Sequence, residues 1–188
     1  MECTYSGCGN KATFHLTYVE DRAAVREQHL CEDHARMTLT SDVEPPVRCS
    51  RTPQVLESAK HFDIDMIIIS ETNDNQVIYL REVGGDQRVP ILIGIFEATS
   101  LDRRLKGYPS PRPLTHDAMK MVIQALGGEV QDVVVDSLRE QTYHAKMRIR
   151  SGTDLRVVDI RPSDAFIMAI AFDRPIFFTD EVLKELPQ

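Results

Sequence analysis

Residues 112–117 read Arg-Pro-Leu-Thr-His-Asp, and residues 161–164 repeat the pattern as Arg-Pro-Ser-Asp. Each stretch predicts the start of a helix, because a proline fixes φ, a hydroxyl can cap, and an aspartate precedes an apolar run. An arginine stands beside each start, where unpaired backbone N–H groups and the helix dipole favour an anion. The pattern therefore predicts two small phosphate sites, one of which also carries a histidine.

Apolar and alternating segments around these two stretches predict the rest of the main domain. Strands are expected near residues 62–69, 77–83, 89–93, 130–138, 141–150, 155–160 and 175–178. Helical spacing indicates helices near 98–105, 115–126 and 162–172, and a last helix capped by Thr179. Three strands followed by a helix occur twice. We therefore expect an α+β fold, with a mixed or antiparallel sheet, packed helices and βββα-type halves.

Composition divides the chain into three parts. We expect a zinc-ribbon-like metal-binding segment at 1–40, a proline-containing linker at 41–59 and the main domain at 60–188. Cys49 lies in the linker, where we expect it to have no role. The 188 residues, 42% of them apolar, suffice for one full-sized core and a small appendage.

The charge balance limits the classes of partner. The net charge is −7, with 22 Lys and Arg against 29 Asp and Glu. Proteins that bind a long duplex through their overall field depend on many basic contacts, so this balance argues against that class but leaves local phosphate contacts open. No apolar run is long enough to cross a bilayer and no signal-like segment starts the chain, so we expect no membrane association and a cytoplasmic location.

Four potential metal ligands lie in the first 34 residues, in two close pairs: Cys3, Cys8, Cys31 and His34. Two pairs separated by the length of a hairpin are typical of a structural tetrahedral Zn²⁺ site, because the metal can join two turns of a segment too small to fold by burial alone. Free thiols or a disulfide are the alternative, although a cytosolic context disfavours disulfides. His29 is an alternative ligand to His34, and His15 is expected at the surface.

The same segment resembles the N-terminal zinc-binding ribbons of bacterial protein-arginine-kinase activators. The matching residues lie at 12–15 and 29–31. The segment departs from that pattern in the wider spacing of Cys3 and Cys8, and in His34 where a cysteine is often found. If the protein is a regulatory or adaptor protein, we expect this segment to recruit a protein partner.

Three stretches of the main domain, at 92–98, 112–117 and 159–165, together resemble the bifunctional nuclease domain, the DNase and RNase family of bacteria and plants. The resemblance covers residues from about 60 to 188. It implies a nuclease that cuts DNA and RNA, on a compact α+β fold that tends to form a homodimer. The matching positions are held by Glu97, Arg112, His116, Asp117, Arg161 and Asp164.

The chemistry of phosphodiester cleavage suggests roles for these residues. Arg112 and Arg161 are candidates for bidentate binding of the substrate phosphate. His116 is a candidate general base or acid, because imidazole exchanges protons near neutral pH. The carboxylates are candidate catalytic groups or ligands of Mg²⁺ or Mn²⁺, which prefer such oxygens: Glu97, Asp117 and Asp164.

Each role has a structural alternative. The two aspartates favour helix starts by themselves, and the two arginines can simply pair with them. Arg103, Arg104 and Lys106 are expected to form a solvated helix face, or else to help hold a polyanion near Arg112. Three functions remain open: a metal-assisted nuclease, a non-catalytic regulatory or adaptor protein that binds a nucleotide or phosphorylated ligand, and a purely structural dimer module.

Overall fold

The computed structural model describes residues 1–39 and 59–186. Within these residues the strands are β1 (Phe14–Glu20), β2 (Ala23–Leu30), β3 (Ala59–Ser70), β4 (Asn75–Glu82), β5 (Arg88–Gly94), β6 (Gly128–Arg139), β7 (Thr142–Ser151), β8 (Asp154–Ile160) and β9 (Ile176–Thr179). The helices are α1 (Glu32–Leu39), α2 (Ile95–Leu105), α3 (Thr115–Ala125), α4 (Pro162–Phe172) and α5 (Asp180–Lys184). The predicted linker and Cys49 lie almost entirely outside the described residues.

All the described strands form one sheet, in the order β2-β1-β3-β9-β6-β7-β8, with β4 and β5 added on the other side of β3. Strand β3 organises this sheet because it is long enough to serve two partners along one edge. Its first residues pair with β9 and its last residues pair with β1, while β4 pairs with the opposite edge. Among the described strands, β6 and β9 are the only pair that runs parallel. The α+β prediction, with three strands followed by a helix in each half, is confirmed.

The main core lies between this sheet and helices α2, α4 and α5. Strand β4 shows how the sequence builds it, because Ile78 and Leu80 alternate with less buried residues and point to the helices. Helix α4 is apolar nearly all round and is buried accordingly, with Phe166 and Met168 fully enclosed. Burial of one such side chain contributes roughly 1.5–3 kcal/mol, so α4 is held firmly in place.

The N-terminal segment is a hairpin followed by helix α1. Asp21 and Arg22 form its turn, with φ of 48° and 61°. Strand β1 pairs with β3 over Phe14 to Tyr18. A second apolar cluster joins the hairpin to the sheet through Leu16, Leu30, Met66 and Ile68, among others. The hairpin is therefore an edge of the main sheet.

In the described part of the chain, no helix has the length and apolar character that a membrane span requires.

Candidate functional site

Helices α3 and α4 bring His116 and Asp164 together. The Nε2 of His116 lies 3.0 Å from Oδ1 of Asp164, and both side chains are largely buried, 13% and 18% exposed. A carboxylate can only accept a hydrogen bond, so Nε2 carries the proton and donates the hydrogen bond to Asp164. This contact fixes the orientation of the imidazole ring.

Arg161, just before α4, binds two carboxylates at once. Its Nε donates to Oδ2 of Asp164 at 2.8 Å, and a terminal nitrogen lies 2.8 Å from Oε1 of Glu97 on α2. The Arg161 side chain is nevertheless 67% exposed, whereas Glu97 is only 17% exposed. The two carboxylates therefore bind the guanidinium on its protein-facing side and leave its other side exposed to solvent.

Gly94 makes room for the Glu97 side chain at the start of α2. A Cβ added at Gly94 would lie 2.5 Å from Oε2 of Glu97, which is too close for an undisturbed contact. The absence of a side chain at this position lets the carboxylate fold back toward the helix start and reach Arg161.

Ser100 completes the group and was not predicted from the sequence. Its Oγ lies 3.4 Å from Nδ1 of His116. Ser100 follows Glu97 by three positions on α2, so both residues occupy the same face of that helix. A serine inside a helix carries no local signal of such a role, and only the packing of α2 and α3 on the common helix α4 reveals it. The contacts run from Glu97 to Ser100 and so begin and end on α2, and we call this set the α2–α3–α4 ring: Glu97, Arg161, Asp164, His116 and Ser100.

Asp117 faces away from the ring. Its carboxylate accepts a hydrogen bond from the backbone N–H of Leu114 at 3.1 Å and pairs with Arg104, while Arg103 lies 3.7 Å away. The Leu114 N–H, followed by Arg104, lowers the pKa of Asp117. The structure thus gives Asp117 a capping role and does not place it with His116 and Asp164.

The prediction that Arg103, Arg104 and Lys106 form a solvated face is wrong. Their side chains are only 22%, 18% and 14% exposed, because Asp117 and β2 pack against this side of α2. Lys106 binds Asp102 at 2.8 Å and Glu27 at 3.1 Å. These cations join α2 to its neighbours.

Arg112 lies on the exposed loop before α3, and within the described residues it has no hydrogen bond or ion pair. It is therefore not paired with Asp117.

The helix starts also differ in detail from the prediction: the residues just before α3 and α4 are Leu114 and Arg161, and Thr115 and Ser163 lie inside the first turns. Pro162 at the first position of α4 sets this register.

A cavity of about 960 Å³ opens beside the ring. The starts of α2 and α4 both reach it, through Gly94 and Ser163, and Arg161 lies at its edge. Ser163 is 8% exposed, and in the described chain its hydroxyl has no hydrogen-bond partner. Much of the remaining wall is apolar, including Leu92, Leu138 and Leu186. Apolar walls with a few polar groups are typical of pockets that bind small molecules.

The predicted metal ligands converge at the other end of the molecule. One ligand atom each from Cys3, Cys8, Cys31 and His34 lies within 4.8 Å of all the others. The Sγ atoms of Cys8 and Cys31 are 3.9 Å apart, and Nδ1 of His34 lies 3.5 Å from Cys3 and 3.3 Å from Cys31. The backbone N–H of His34, with its ring, lowers the pKa of the Cys31 thiol, which favours the thiolate that binds metals.

The two other histidines of this segment contact each other and not the cysteines. Nδ1 of His15 lies 2.7 Å from Nδ1 of His29, and Nε2 of His15 lies 3.1 Å from Glu71. The cluster thus takes His34, the first of the two predicted alternatives.

Comparison with known proteins agrees with the earlier resemblance. The family model of the bifunctional nuclease domain matches residues 78–188. Two curated relatives from Mycobacterium tuberculosis are "Uncharacterized protein MT1877" of strain CDC 1551 / Oshkosh and "Uncharacterized protein Rv1829" of strain ATCC 25618 / H37Rv. Each is 34% identical over 119 residues, which are 63% of this chain and 71% of the relative.

The matched region starts within β4 and runs through the whole ring, so the hairpin, α1 and β3 precede it. It covers more than half of the chain, and it contains all three stretches that carried the resemblance. The chain therefore belongs to the bifunctional nuclease domain family.

Proposed function

We propose that this protein hydrolyses phosphodiester bonds in DNA and RNA. The observation that carries the proposal is Arg161, a solvent-facing guanidinium held by Glu97 and by Asp164, the same carboxylate that binds the largely buried His116. A phosphate needs a cation that is both fixed and accessible, and a proton acceptor close by. Membership of the family supports nucleic acid as the substrate.

The ring suggests a division of labour. Arg161 binds the scissile phosphate through the N–H groups that Asp164 and Glu97 leave free. His116 moves protons, and Asp164 stabilises the imidazolium that forms. Arg112, exposed and unpaired among the described residues, supplies a second cation from its loop. Asp117 contributes by fixing the start of α3, on which His116 lies.

A catalytic Mg²⁺ or Mn²⁺ fits the carboxylates poorly. Glu97 and Asp164 both bind Arg161, and Asp117 faces Arg104 on another side, so the three do not present oxygens to one point. A hard divalent ion prefers several oxygens converging on it. Cleavage in the presence of EDTA is the direct measure of whether such an ion is required.

We further propose a structural Zn²⁺ at Cys3, Cys8, Cys31 and His34. In tetrahedral zinc sites the bond lengths place two sulfurs roughly 3.8 Å apart, and sulfur and nitrogen roughly 3.6 Å apart. The three distances of 3.9, 3.5 and 3.3 Å lie close to these values. Thiol ligands also suit a reducing compartment, which supports a cytoplasmic location.

The test of the main proposal is cleavage by the purified protein of single-stranded and duplex DNA and RNA, with Mg²⁺, with Mn²⁺ and with EDTA. Cleavage by the wild type that disappears in His116→Ala supports the assignment. Equal cleavage by the variant would point to a contaminating nuclease.

A second function is favoured by the cavity, whose size suits a nucleotide with its phosphate at Arg161. In that case the protein is a regulatory or adaptor protein that binds without cutting, and the zinc segment contacts a partner protein. Nucleotides would then raise the melting temperature while all four substrates remain intact.

The assembly we propose is a homodimer. Strand β8 is an edge of the sheet, and it leaves Leu155, Val157 and Val158 exposed; Val122 and Leu126 of α3 are exposed as well. Apolar surface of this kind commonly marks a protein contact. Light scattering of the purified chain measures the state directly.

A further inference from the structure

The hydrogen bonds of His116 leave one of its ring nitrogens able to accept a proton. Asp164 accepts the hydrogen bond from Nε2–H, so in the neutral ring Nδ1 carries the free lone pair. The described group at Nδ1 is the hydroxyl of Ser100, 3.4 Å away. If His116 acts as a base and keeps its bond to Asp164, the proton that it removes is therefore the Ser100 proton.

Ser100, His116 and Asp164 thus form the hydrogen-bonded series of a nucleophile, a base and an orienting carboxylate. The link from nucleophile to base is longer than an ideal hydrogen bond, as is common before substrate binds. The three residues come from α2, α3 and α4, and such series are recognised by geometry and not by their order in the chain.

We propose that Ser100 is a nucleophile that forms a covalent phosphoserine intermediate. The inference rests on the proposed function for its natural substrate, a phosphodiester of DNA or RNA. The phosphate is presented by Arg161, which is bound to Glu97 one helical turn before Ser100.

The first step transfers the phosphoryl group to the enzyme. Ser100 Oγ forms a bond to phosphorus as its proton passes to Nδ1 of His116. The bond between phosphorus and the leaving nucleoside oxygen breaks, and that oxygen takes the proton from His116. One new hydroxyl end is released, and the other product stays attached to Ser100 as a phosphodiester.

The second step restores the enzyme. Water gives a proton to Nδ1 of His116 and its oxygen bonds to phosphorus. The bond from phosphorus to Ser100 Oγ then breaks, and Oγ recovers its proton from His116. The second product leaves as a phosphate monoester, and the sum of both steps is hydrolysis.

A phosphorus electrophile tests the nucleophile separately from nuclease activity. A fluorophosphonate should attach to Ser100 with loss of fluoride, and peptide mass spectrometry locates the label. Ser100→Ala and His116→Ala should lose this label. Thr99→Ala is the matched control, because the Thr99 hydroxyl bonds to the carbonyl of Ile95 and is exposed. Absence of label at Ser100 in the wild type would overturn the proposal.

Substrate cleavage tests the mechanism itself. Ser100→Ala should lower the cleavage rate by about three orders of magnitude, and Thr99→Ala should not. Two displacements at a chiral phosphorothioate retain its configuration, whereas one displacement inverts it. Retention supports the intermediate, and inversion would leave Ser100 as a residue that only positions His116. A wild type that is labelled at Ser100 but cuts no nucleic acid refutes the proposed function and keeps the nucleophile.

Discussion

His116 donates from Nε2 to Oδ1 of Asp164 across 3.0 Å, although 48 positions separate the two residues in the sequence. No local pattern creates this contact, because it requires α3 to pack along the buried helix α4. The pair is therefore a product of the tertiary fold. Single substitutions in the ring can therefore test its chemistry independently of the stability of the underlying core.

Asp164→Asn should reduce cleavage by about 10²-fold or more, because an amide cannot stabilise an imidazolium as a carboxylate does. Initial rates on single-stranded DNA and RNA measure the effect. Asp173→Asn is the control: Asp173 is 90% exposed and has a φ of 53°, a conformation that asparagine tolerates. An Asp164→Asn protein with the wild-type rate would remove Asp164 from the mechanism.

Gly94→Ala should impair the ring through Glu97 and leave His116, Asp164 and Ser100 unchanged. The new Cβ would meet Oε2 of Glu97 at 2.5 Å and push the carboxylate away from Arg161. We expect weaker substrate binding, seen as a higher KM, and a loss of stability of about 1 kcal/mol.

A double substitution gives the control for Gly94. If displacement of Glu97 is the whole effect, adding Gly94→Ala to Glu97→Ala should cause no further rise in KM and no further loss of stability. Independent, additive losses in the two variants would show that Gly94 acts through the backbone and not through Glu97.

The elements of this fold follow from short-range patterns, and their long-range arrangement does not. Alternation and helical spacing predicted the strands and helices of the main domain, because those signals depend on neighbouring residues. The insertion of β9 between β3 and β6, and the pairing of β1 with β3, depend on contacts between distant segments. The sequence carries no local trace of either.

The candidate site shows the same division. Spacing predicted the cluster of Cys3, Cys8, Cys31 and His34, because the members of each pair are only a few residues apart in the sequence. Ser100 could not be predicted, because no residue near it in the sequence indicates that its side chain lies beside His116. The cations of α2 were misjudged for the opposite reason: a polar helix face looks solvated until its acidic partners, from α3 and β2, are known.

Stability in acid should depend on Asp117. The Leu114 N–H and Arg104 lower its pKa in the folded protein, so the carboxylate stabilises the fold fully above the unfolded pKa of about 4. That contribution is lost as the pH falls toward the lower, folded pKa. Asp117→Asn should therefore be less stable than the wild type at pH 6, and the difference should shrink below about pH 4.

Urea unfolding of both proteins at several pH values between about 3 and 7 measures this difference. Asp154→Asn, on the exposed strand β8, is a control for general charge effects. A difference between the Asp117→Asn protein and the wild type that stays constant over the whole range would show that the carboxyl pKa is not lowered by folding.

Removal of one ligand of the proposed zinc site should affect the hairpin and the sheet together. Cys31→Ser replaces a thiolate by a weak ligand, so we expect the metal content to fall from about one zinc per chain to none. Elemental analysis of the purified protein measures this, with Cys49→Ser as a matched control outside the predicted ligand set. Because β1 pairs with β3 and Leu16 packs on Met66 and Ile68, loss of the metal should also lower the melting temperature of the main domain. A Cys31→Ser protein that keeps one zinc per chain would refute the assigned ligands, and one that loses zinc but melts like the wild type would show that the hairpin is energetically independent of the sheet.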